Sequence, residues 1–239
     1  MLRRPFFFKH ESLAEAVRGF SILALHLLLL LFFCRTFVFQ TLAVSSASMQ
    51  DSLMVGDHVV VDMVRSRCGW NAIERIFLPT RPIIRGMIVV FHPPDSDERV
   101  FVKRVIGLPG DTIRMSAGRL NINGKPLRES YLACGIPQIA GNDDYACRVP
   151  PAHYFCLGDN RADSNDSRYW GFLPRRNIIG IPWRIYWSFR STPETYACSG
   201  FAQHMQRFFD YVRGFLFRTR WKRTCRRVQL LTPKLQHGS

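Results

Sequence analysis

Three polar clusters in this sequence contain the residue types that nucleophilic catalysis needs. Serines crowd the segment Ser45 to Met49, soon after a long apolar stretch. A serine hydroxyl is a weak nucleophile and requires a base within hydrogen-bonding reach, usually a histidine and in some folds a lysine. Lys103 follows the apolar run Val100 to Val102, and burial among such neighbours lowers the pKa of a lysine. The third cluster, Gly158 to Arg168, comes late enough in the chain to close a site around the other two.

The alternative for Lys103 is an ordinary lysine at the end of a strand, with its ammonium group in water. Lysine is rarely fully buried, so this is the usual situation for a lysine in a strand. The serine cluster and the polar cluster elsewhere in the chain favour the catalytic interpretation instead.

Five separated sequence blocks occur in an order that indicates a family. They are Ser46 to Met49, Gly56 to Val61, Arg85 to Phe91, Lys103 to Asp111 and Gly158 to Phe172. This set resembles the bacterial type I signal peptidases, membrane-bound Ser/Lys endopeptidases that remove signal peptides from exported proteins. The resemblance extends from about Phe20 to Phe189, and a chance match of so many ordered blocks is a poor explanation.

The resemblance implies a role for each of five residues. Ser48 would attack the scissile carbonyl and Lys103 would act as general base. Ser46, with the backbone N–H of Ser48, would supply the oxyanion hole. Ser164 would hydrogen-bond to the lysine and orient it, and Met49 would help to structure the nucleophile block.

The resemblance also implies two ion pairs that structure the site, Asp159 with Arg104 and Asp166 with Arg168. For these four residues a solvated surface position is the alternative, because isolated surface pairs contribute little to stability.

One position departs from the family pattern. Asp51 stands where the family usually has a proline three residues after the nucleophile. Aspartate can hold a turn through hydrogen bonds from its side chain, so the turn geometry can survive. An acidic group near Lys103 would also favour the charged lysine and depress activity near neutral pH.

The expected partners follow from the same resemblance. The substrates would be exported preproteins with small residues before the cleavage site, bound as an added strand beside Ser48. No cofactor is implied. No metal is predicted, because Cys-x-x-Cys spacing is absent and the histidines do not cluster. The alternatives are a specialised conjugation- or pilin-type maturation peptidase of the same family, and a non-catalytic membrane protein that binds anionic lipid or nucleic acid through a basic tail.

The apolar stretch Phe20 to Phe33 predicts a single transmembrane signal anchor over residues 17–37. Basic residues precede it, so the positive-inside tendency predicts that residues 1–16 lie in the cytoplasm. The catalytic domain would then lie on the outer, periplasmic face of the cytoplasmic membrane. A cleaved secretory signal peptide is the rival interpretation, but cleavage near Ala43 to Ala47 would remove the anchor just before Ser48.

The region between the anchor and residue 190 predicts a mainly antiparallel β fold. Runs such as His58 to Val61 and Ile88 to Phe91 are β-branched or aromatic, and Leu120 to Leu127 predicts a hairpin with an Asn-Gly turn. With 239 residues, the chain has room for one anchor and one domain of ordinary size. We expect a peptidase domain over residues 38–190 with a smaller β-rich insert at about 116–151.

Residues 191–239 form a basic tail in a chain whose net charge is +15. Apolar residues recur at helical spacing from Phe201 to Leu216, and arginines and a lysine supply positive charge as far as Arg227. This pattern predicts an amphipathic helix on an anionic membrane surface, with packing on the β domain as the alternative. Interleaved aromatic residues could stack on bases, but nucleic acid is not expected because most of the excess charge flanks membrane-associated segments.

The seven cysteines allow one disulfide prediction. Cys134 and Cys147 flank a polar loop in the expected insert, and a bridge between them is one of two open alternatives in an oxidising compartment. Cys156 is expected to be a small buried apolar residue.

Overall fold

The computed structural model describes residues 13–50, 52–64, 82–96, 98–116, 119–129, 131–132, 145–197, 201–228 and 234–235. The chain divides into two compact units, one ending at Val38 and one beginning at Phe39.

The first unit is a long apolar helix. Helix α1 spans Leu13–Phe33, and a short π-helical segment, Cys34–Val38, follows it. Within the described residues, Glu15–Thr36 is the one helical stretch long and apolar enough to cross a membrane. Its leucine and phenylalanine side chains are largely exposed, as expected for a segment that packs against lipid.

The described part of the second unit contains twelve strands. They are β1 Phe39–Ala43, β2 Asp57–Asp62, β3 Ile88–Phe91, β4 Phe101–Gly107, β5 Thr112–Ser116, β6 Arg119–Ile122, β7 Lys125–Arg128, β8 Tyr145–Arg148, β9 His153–Leu157, β10 Leu173–Pro174, β11 Ile178–Ser188 and β12 Lys234–Leu235. A seven-stranded sheet has the order β1-β2-β11-β3-β4-β9-β10, and its neighbouring strands are all antiparallel. The predicted mainly antiparallel β fold is therefore confirmed.

A second sheet of five strands has the order β12-β7-β6-β5-β8. Its β6–β7 hairpin turns through Asn123 and Gly124, whose φ angles of 52° and 78° suit a type I′ turn. The hairpin predicted from the Asn-Gly pair is confirmed. Its first strand in chain order is β5, which starts at Thr112 and pairs with both β6 and β8. The insert boundaries at about 116–151 stay a prediction.

A buried apolar cluster on the large sheet supports the serine segment. Met49 and Leu53, which flank the turn after Ser48, are buried against Val59, Ile88 and Ile185. These contacts join the serine segment to strands β2, β3 and β11, so the position of Ser48 depends on the packing of the sheet.

Within its described residues, the second unit has three α-helices: α2 Ser167–Trp170, α3 Glu194–Ala197 and α4 Phe201–Arg218. The predicted C-terminal amphipathic helix is present as α4 and ends at Arg218. The following residues instead pair with β11, through bridges from Thr219 to Phe189 and from Arg227 to Arg184. Backbone pairing with a strand replaces the helical hydrogen bonds there.

Helix α4 presents different surfaces to the domain and to solvent. Tyr211 lies edge-on to Trp187 and Phe189, with ring centroids 4.9 and 5.0 Å apart, and Gly214 is buried against Phe189. Other apolar side chains of the helix are exposed, namely Met205, Phe208, Phe209, Val212, Phe215, Leu216 and Phe217. Packing on the β domain, the alternative to membrane contact, therefore explains only one face of the helix.

Candidate active site

Ser48 and Lys103 meet although 55 residues separate them in sequence. Ser48 lies on a 3₁₀ turn, Ala47–Met49, and Lys103 lies in the middle of β4 opposite Val89 of β3. Lys103 Nζ donates a hydrogen bond to Ser48 Oγ at 2.5 Å. Both residues are buried, with relative exposures of 6% and 4%. The separation is short enough for direct proton transfer between the two groups.

Burial lowers the pKa of Lys103 from its ordinary value of 10.5 to about 8. The cause is loss of hydration of the ammonium group. The carboxylates of Asp166, Asp159 and Asp163 act in the opposite direction and favour the charged form. A substantial fraction of Lys103 is therefore neutral near pH 8, as a general base requires.

Ser46 precedes the turn and caps it. Its Oγ accepts a hydrogen bond from the backbone N–H of Ser48 at 3.2 Å, and its side chain is exposed. The two groups expected to form the oxyanion hole are thus neighbours, but in this structure the N–H is donated to Ser46. A hydroxyl can accept one hydrogen bond and donate another at the same time. The Ser46 hydroxyl can therefore still donate its own proton to a substrate oxygen while it accepts from the Ser48 N–H.

Ser164 lies beside the Ser48 turn without the expected hydrogen bond to Lys103. A Cβ placed on Gly158 would lie 2.1 Å from Ser164 Oγ and 2.6 Å from the Ser48 carbonyl oxygen, so only glycine allows this close approach. Ser164 is 8% exposed, and its Oγ has no hydrogen-bond partner within the described part of the chain. The expected bond to Lys103 is therefore absent here, where Nζ is directed to Ser48 instead.

Arg104 and Asp159 form the first expected ion pair, which is fully buried. Arg104 Nε and Nη2 donate to Asp159 Oδ1 and Oδ2 at 2.8 and 2.6 Å. Arg104 Nη2 also donates to Ser52 Oγ, and Ser52 Oγ donates to Asp159 Oδ2. The guanidinium carbon lies 4.0 Å from the ring centroid of Tyr131. The pair ties the residues after Ser48 to strand β4, and it is not a solvated surface pair.

Asp166 and Arg168 form the second expected pair, with Nε–Oδ1 and Nη2–Oδ2 distances of 2.8 and 2.9 Å. Asp166 is completely buried, caps helix α2 and accepts from the backbone N–H of Gly158 at 3.0 Å. Arg168 donates to the carbonyl oxygen of Arg161 at 2.8 Å. This pair therefore closes the loop that faces Lys103.

Residues that the sequence did not single out also hold this loop. The Asn160 backbone N–H donates to the Ser48 carbonyl oxygen at 3.0 Å, which joins the loop directly to the turn that carries Ser48. Arg161 donates to the Gly158 carbonyl oxygen at 3.1 Å and forms a buried pair with Glu129. Glu129 is the only acidic residue between Asp111 and Asp143, which is the one signal that could have drawn attention to it.

A groove of about 290 Å³ opens beside the serine and the lysine. It is lined by residues 42–46, 48–49 and 100–103, with Asp163 and Asn165 at its polar side. One wall continues from β1, the terminal strand of the large sheet. An edge strand offers backbone N–H and C=O groups to an extended peptide, and the apolar wall suits small side chains.

Two predictions fall on residues outside the described ranges. Asp51 and Cys134 are not among the described residues, so the effect of Asp51 and the Cys134–Cys147 bridge stay predictions. Cys156 is completely buried, as expected.

Comparisons with known proteins identify the family. The family described as "Signal peptidase, peptidase S26" matches residues 17–187. The probable signal peptidase I-2 of Synechocystis is 37% identical over 158 residues, covering 64% of this chain and 65% of that protein. Signal peptidase I S of Bacillus subtilis is 32% identical over 195 residues, covering 78% of this chain and 96% of that protein.

A solved structure of a signal peptidase I from Enterococcus faecalis also matches. It is 35% identical, covers 42% of this chain and 97% of the solved chain, and has a TM-score of 0.38. The family match extends over more than half of the chain, and the Bacillus subtilis relative is similar over most of both lengths. The chain therefore belongs to the signal peptidase family, peptidase S26, and is a peptidase of that family.

Proposed function

We propose that this protein is a membrane-bound serine endopeptidase that cleaves signal peptides from exported preproteins with Ser48 as nucleophile and Lys103 as general base. The observation that carries the proposal is the 2.5 Å contact between Lys103 Nζ and Ser48 Oγ at the floor of a groove. Family membership supports the substrate class.

The first half of the reaction begins with neutral Lys103. The lysine takes the proton of Ser48 Oγ as this oxygen bonds to the scissile carbonyl carbon. Ser46 Oγ and the Ser48 N–H are the proposed donors for the resulting oxyanion, and donors aimed at the developing charge stabilise it by a few kcal/mol each. Ser46 accepts the Ser48 N–H in the free protein, so substrate must share or displace that bond.

The second half returns the proton. Charged Lys103 protonates the leaving amine as the carbon–nitrogen bond breaks, which leaves an acyl-enzyme on Ser48 and a neutral lysine. The lysine then takes a proton from water as the water attacks the acyl carbon. When the bond from the acyl carbon to Ser48 Oγ breaks, charged Lys103 returns that proton to Oγ, which restores the serine hydroxyl and the neutral lysine. Ser164, whose Oγ has no hydrogen-bond partner among the described residues, is the proposed residue that orients the lysine during these steps.

The groove favours substrates with small residues before the cleavage site. Its apolar wall is formed by Leu42, Ala43 and Val44, next to the edge of β1. An extended preprotein segment can pair with this edge and direct alternate side chains into the wall.

Helix α1 is proposed to anchor the protein with residues 1–16 in the cytoplasm and the peptidase domain on the outer face of the cytoplasmic membrane. The basic residues Arg3, Arg4, Lys9 and Arg18 support this orientation. The exposed apolar side chains of α4, among cations such as Arg207 and Arg213, support a second contact with anionic lipid.

The direct test uses the detergent-solubilised full chain and a preprotein with an Ala-x-Ala site. We expect cleavage after the second alanine, detected by the mass of the products. Ser48→Ala and Lys103→Ala should abolish it, whereas Ser96→Ala in the β3–β4 loop should retain wild-type rates. An inactive folded wild type, or cleavage by Ser48→Ala, would overturn the proposal.

A further inference from the structure

The segment after helix α4 docks on strand β11, beyond the residues that the family match covers. The Arg220 N–H donates to the Ser188 carbonyl oxygen at 2.7 Å, and the Ile185 N–H donates to the Arg226 carbonyl oxygen at 2.9 Å. The Val228 N–H donates to the Trp183 carbonyl oxygen at 3.1 Å. Thr219 to Val228 is therefore held as a strap on the peptidase domain.

Two arginines of this strap reach a buried carboxylate. Arg223 Nη2 donates to Asp57 Oδ2 at 2.6 Å, and Arg220 Nη1 lies 3.9 Å from Asp57 Oδ1. Asp57 is completely buried and also accepts from the Ser188 hydroxyl at 2.6 Å and the Met54 N–H at 2.9 Å. A buried carboxylate of this kind needs its cationic partner, since an unpaired charge is strongly disfavoured.

The same arginines bind the backbone that follows Ser48. Arg223 Nη2 donates to the Ser52 carbonyl oxygen at 3.2 Å, and Arg220 Nη1 donates to the Val55 carbonyl oxygen at 2.9 Å. The turn from Met49 to Asp57 is otherwise closed by local bonds, such as Leu53 N–H to the Met49 carbonyl oxygen. The strap therefore contacts the turn that carries the serine at its start.

The same turn is also bound by the Arg104–Asp159 pair of the candidate active site. The Ser52 side chain binds both Arg104 and Asp159, while its carbonyl oxygen binds Arg223. Ser52 thus links the buried Arg104–Asp159 pair to the strap, four residues after the nucleophile.

We infer that Arg223, assisted by Arg220, is a positioning residue that holds Ser48 in reacting geometry through Asp57 and Ser52. The inference rests on the proposed role of Ser48. Because a misplacement of about 1 Å at a reacting group can lower turnover roughly 10²-fold, loosening the turn should act on the chemical step.

The test compares Arg223→Ala with wild type in single-turnover cleavage, with the full-length enzyme in saturating excess over the preprotein. Under this condition the rate constant does not depend on how many enzyme molecules are folded. We expect Arg223→Ala to lower it roughly 10- to 100-fold, whereas the enzyme concentration that gives half of the maximal rate, from a titration, should change less than about threefold. Arg223→Lys keeps a cationic partner for Asp57 but loses the planar guanidinium with its several N–H donors. This variant should therefore recover the thermal stability and part of the rate.

Arg176→Ala, the same change at an exposed arginine, should match wild type. Hydrogen exchange gives a readout that does not require cleavage: the amides of Leu53, Met54 and Gly56 should exchange faster in Arg223→Ala. Unchanged exchange at these amides overturns the inference. A wild-type single-turnover rate in Arg223→Ala, in an assay where Ser48→Ala is inactive, overturns it while leaving the proposed function standing.

Discussion

Lys103 is the residue at which stability and chemistry conflict. Its pKa is lowered to about 8 because the ammonium group is buried, and three aspartates partly offset this effect. The folded protein therefore binds a proton at Lys103 less readily than the unfolded chain does. This single property gives two predictions, one for activity and one for stability.

Activity should depend on neutral Lys103. We expect kcat/KM to fall tenfold per pH unit below about 8, since the protonated lysine cannot accept the Ser48 proton. Replacing Asp163 by asparagine removes one group that favours the charged lysine, so this acid limb should move to lower pH. The profile would be measured between about pH 6 and 10. A limb at the wild-type position in Asp163→Asn would contradict the assignment to Lys103.

Stability should rise when Lys103 is replaced by an apolar residue. The folded-state pKa lies below the unfolded value of 10.5, so the penalty is fully present below about pH 8 and fades as the pH rises towards 10.5. Lys103→Met should stabilise the protein by about 3 kcal/mol at pH 7. Thermal unfolding at pH 7 and near pH 10 measures the difference. Lys125→Met, at an exposed lysine, is the control, and equal melting temperatures for Lys103→Met and wild type would refute the prediction.

At the scale of elements, strand β4 and the loop between β9 and α2 are joined by the Arg104–Asp159 pair. The pair is bidentate, its side chains are 0% and 1% exposed, and Ser52 shares both partners. Such a pair fixes where the strand and the serine turn meet, because neither charge has an alternative partner in water.

Removing one member of this pair should strongly lower the free energy of unfolding. Asp159→Ala leaves Arg104 buried without its carboxylate and should destabilise the protein by about 3–5 kcal/mol. The double variant Arg104→Met/Asp159→Leu should recover most of that loss. Asp95→Ala is the matched control, because its partner Arg99 is about half exposed. Denaturant unfolding gives the three values, and a single variant as stable as the control would contradict the role of the pair.

At the scale of the whole molecule, the chain combines an excess of positive charge with two exposed apolar surfaces. Helix α1 is apolar along its length, and α4 exposes apolar side chains that the peptidase domain does not cover. The chain has 33 basic and 18 acidic residues, so both surfaces suit an anionic membrane.

Membrane contact by α4 should be visible in the reconstituted full chain. Oxidative footprinting should show Phe208, Phe209 and Phe217 protected in vesicles with anionic lipid relative to neutral lipid, since nearby cations add attraction to the anionic surface. Tyr169, 74% exposed on α2, is the reference for general loss of reagent access. Equal oxidation of the three phenylalanines in both lipids would contradict the contact.

Local sequence patterns predicted which strands and helices form better than they predicted where the chain goes after each one ends. The Asn123-Gly124 turn and the strands through Val59 and Val89 follow from turn chemistry and from runs of β-branched and aromatic residues, which depend on neighbouring residues alone. The tail was different, because the pattern that predicted its helix gave no sign that the residues after Arg218 turn back onto β11. Residues that pair with a distant strand carry no local mark of that pairing.

The sequence alone determined an apolar span, a β-rich domain, a serine cluster, a lysine in an apolar run and the resemblance that assigned their roles. Only the tertiary structure decided that Lys103 is buried against Ser48, that Ser164 is left unbonded, and that Arg223 binds Asp57 across 166 residues. Periodicity and turn chemistry act between near neighbours in sequence, whereas desolvation and ion pairing depend on which distant segments the packed sheet brings together.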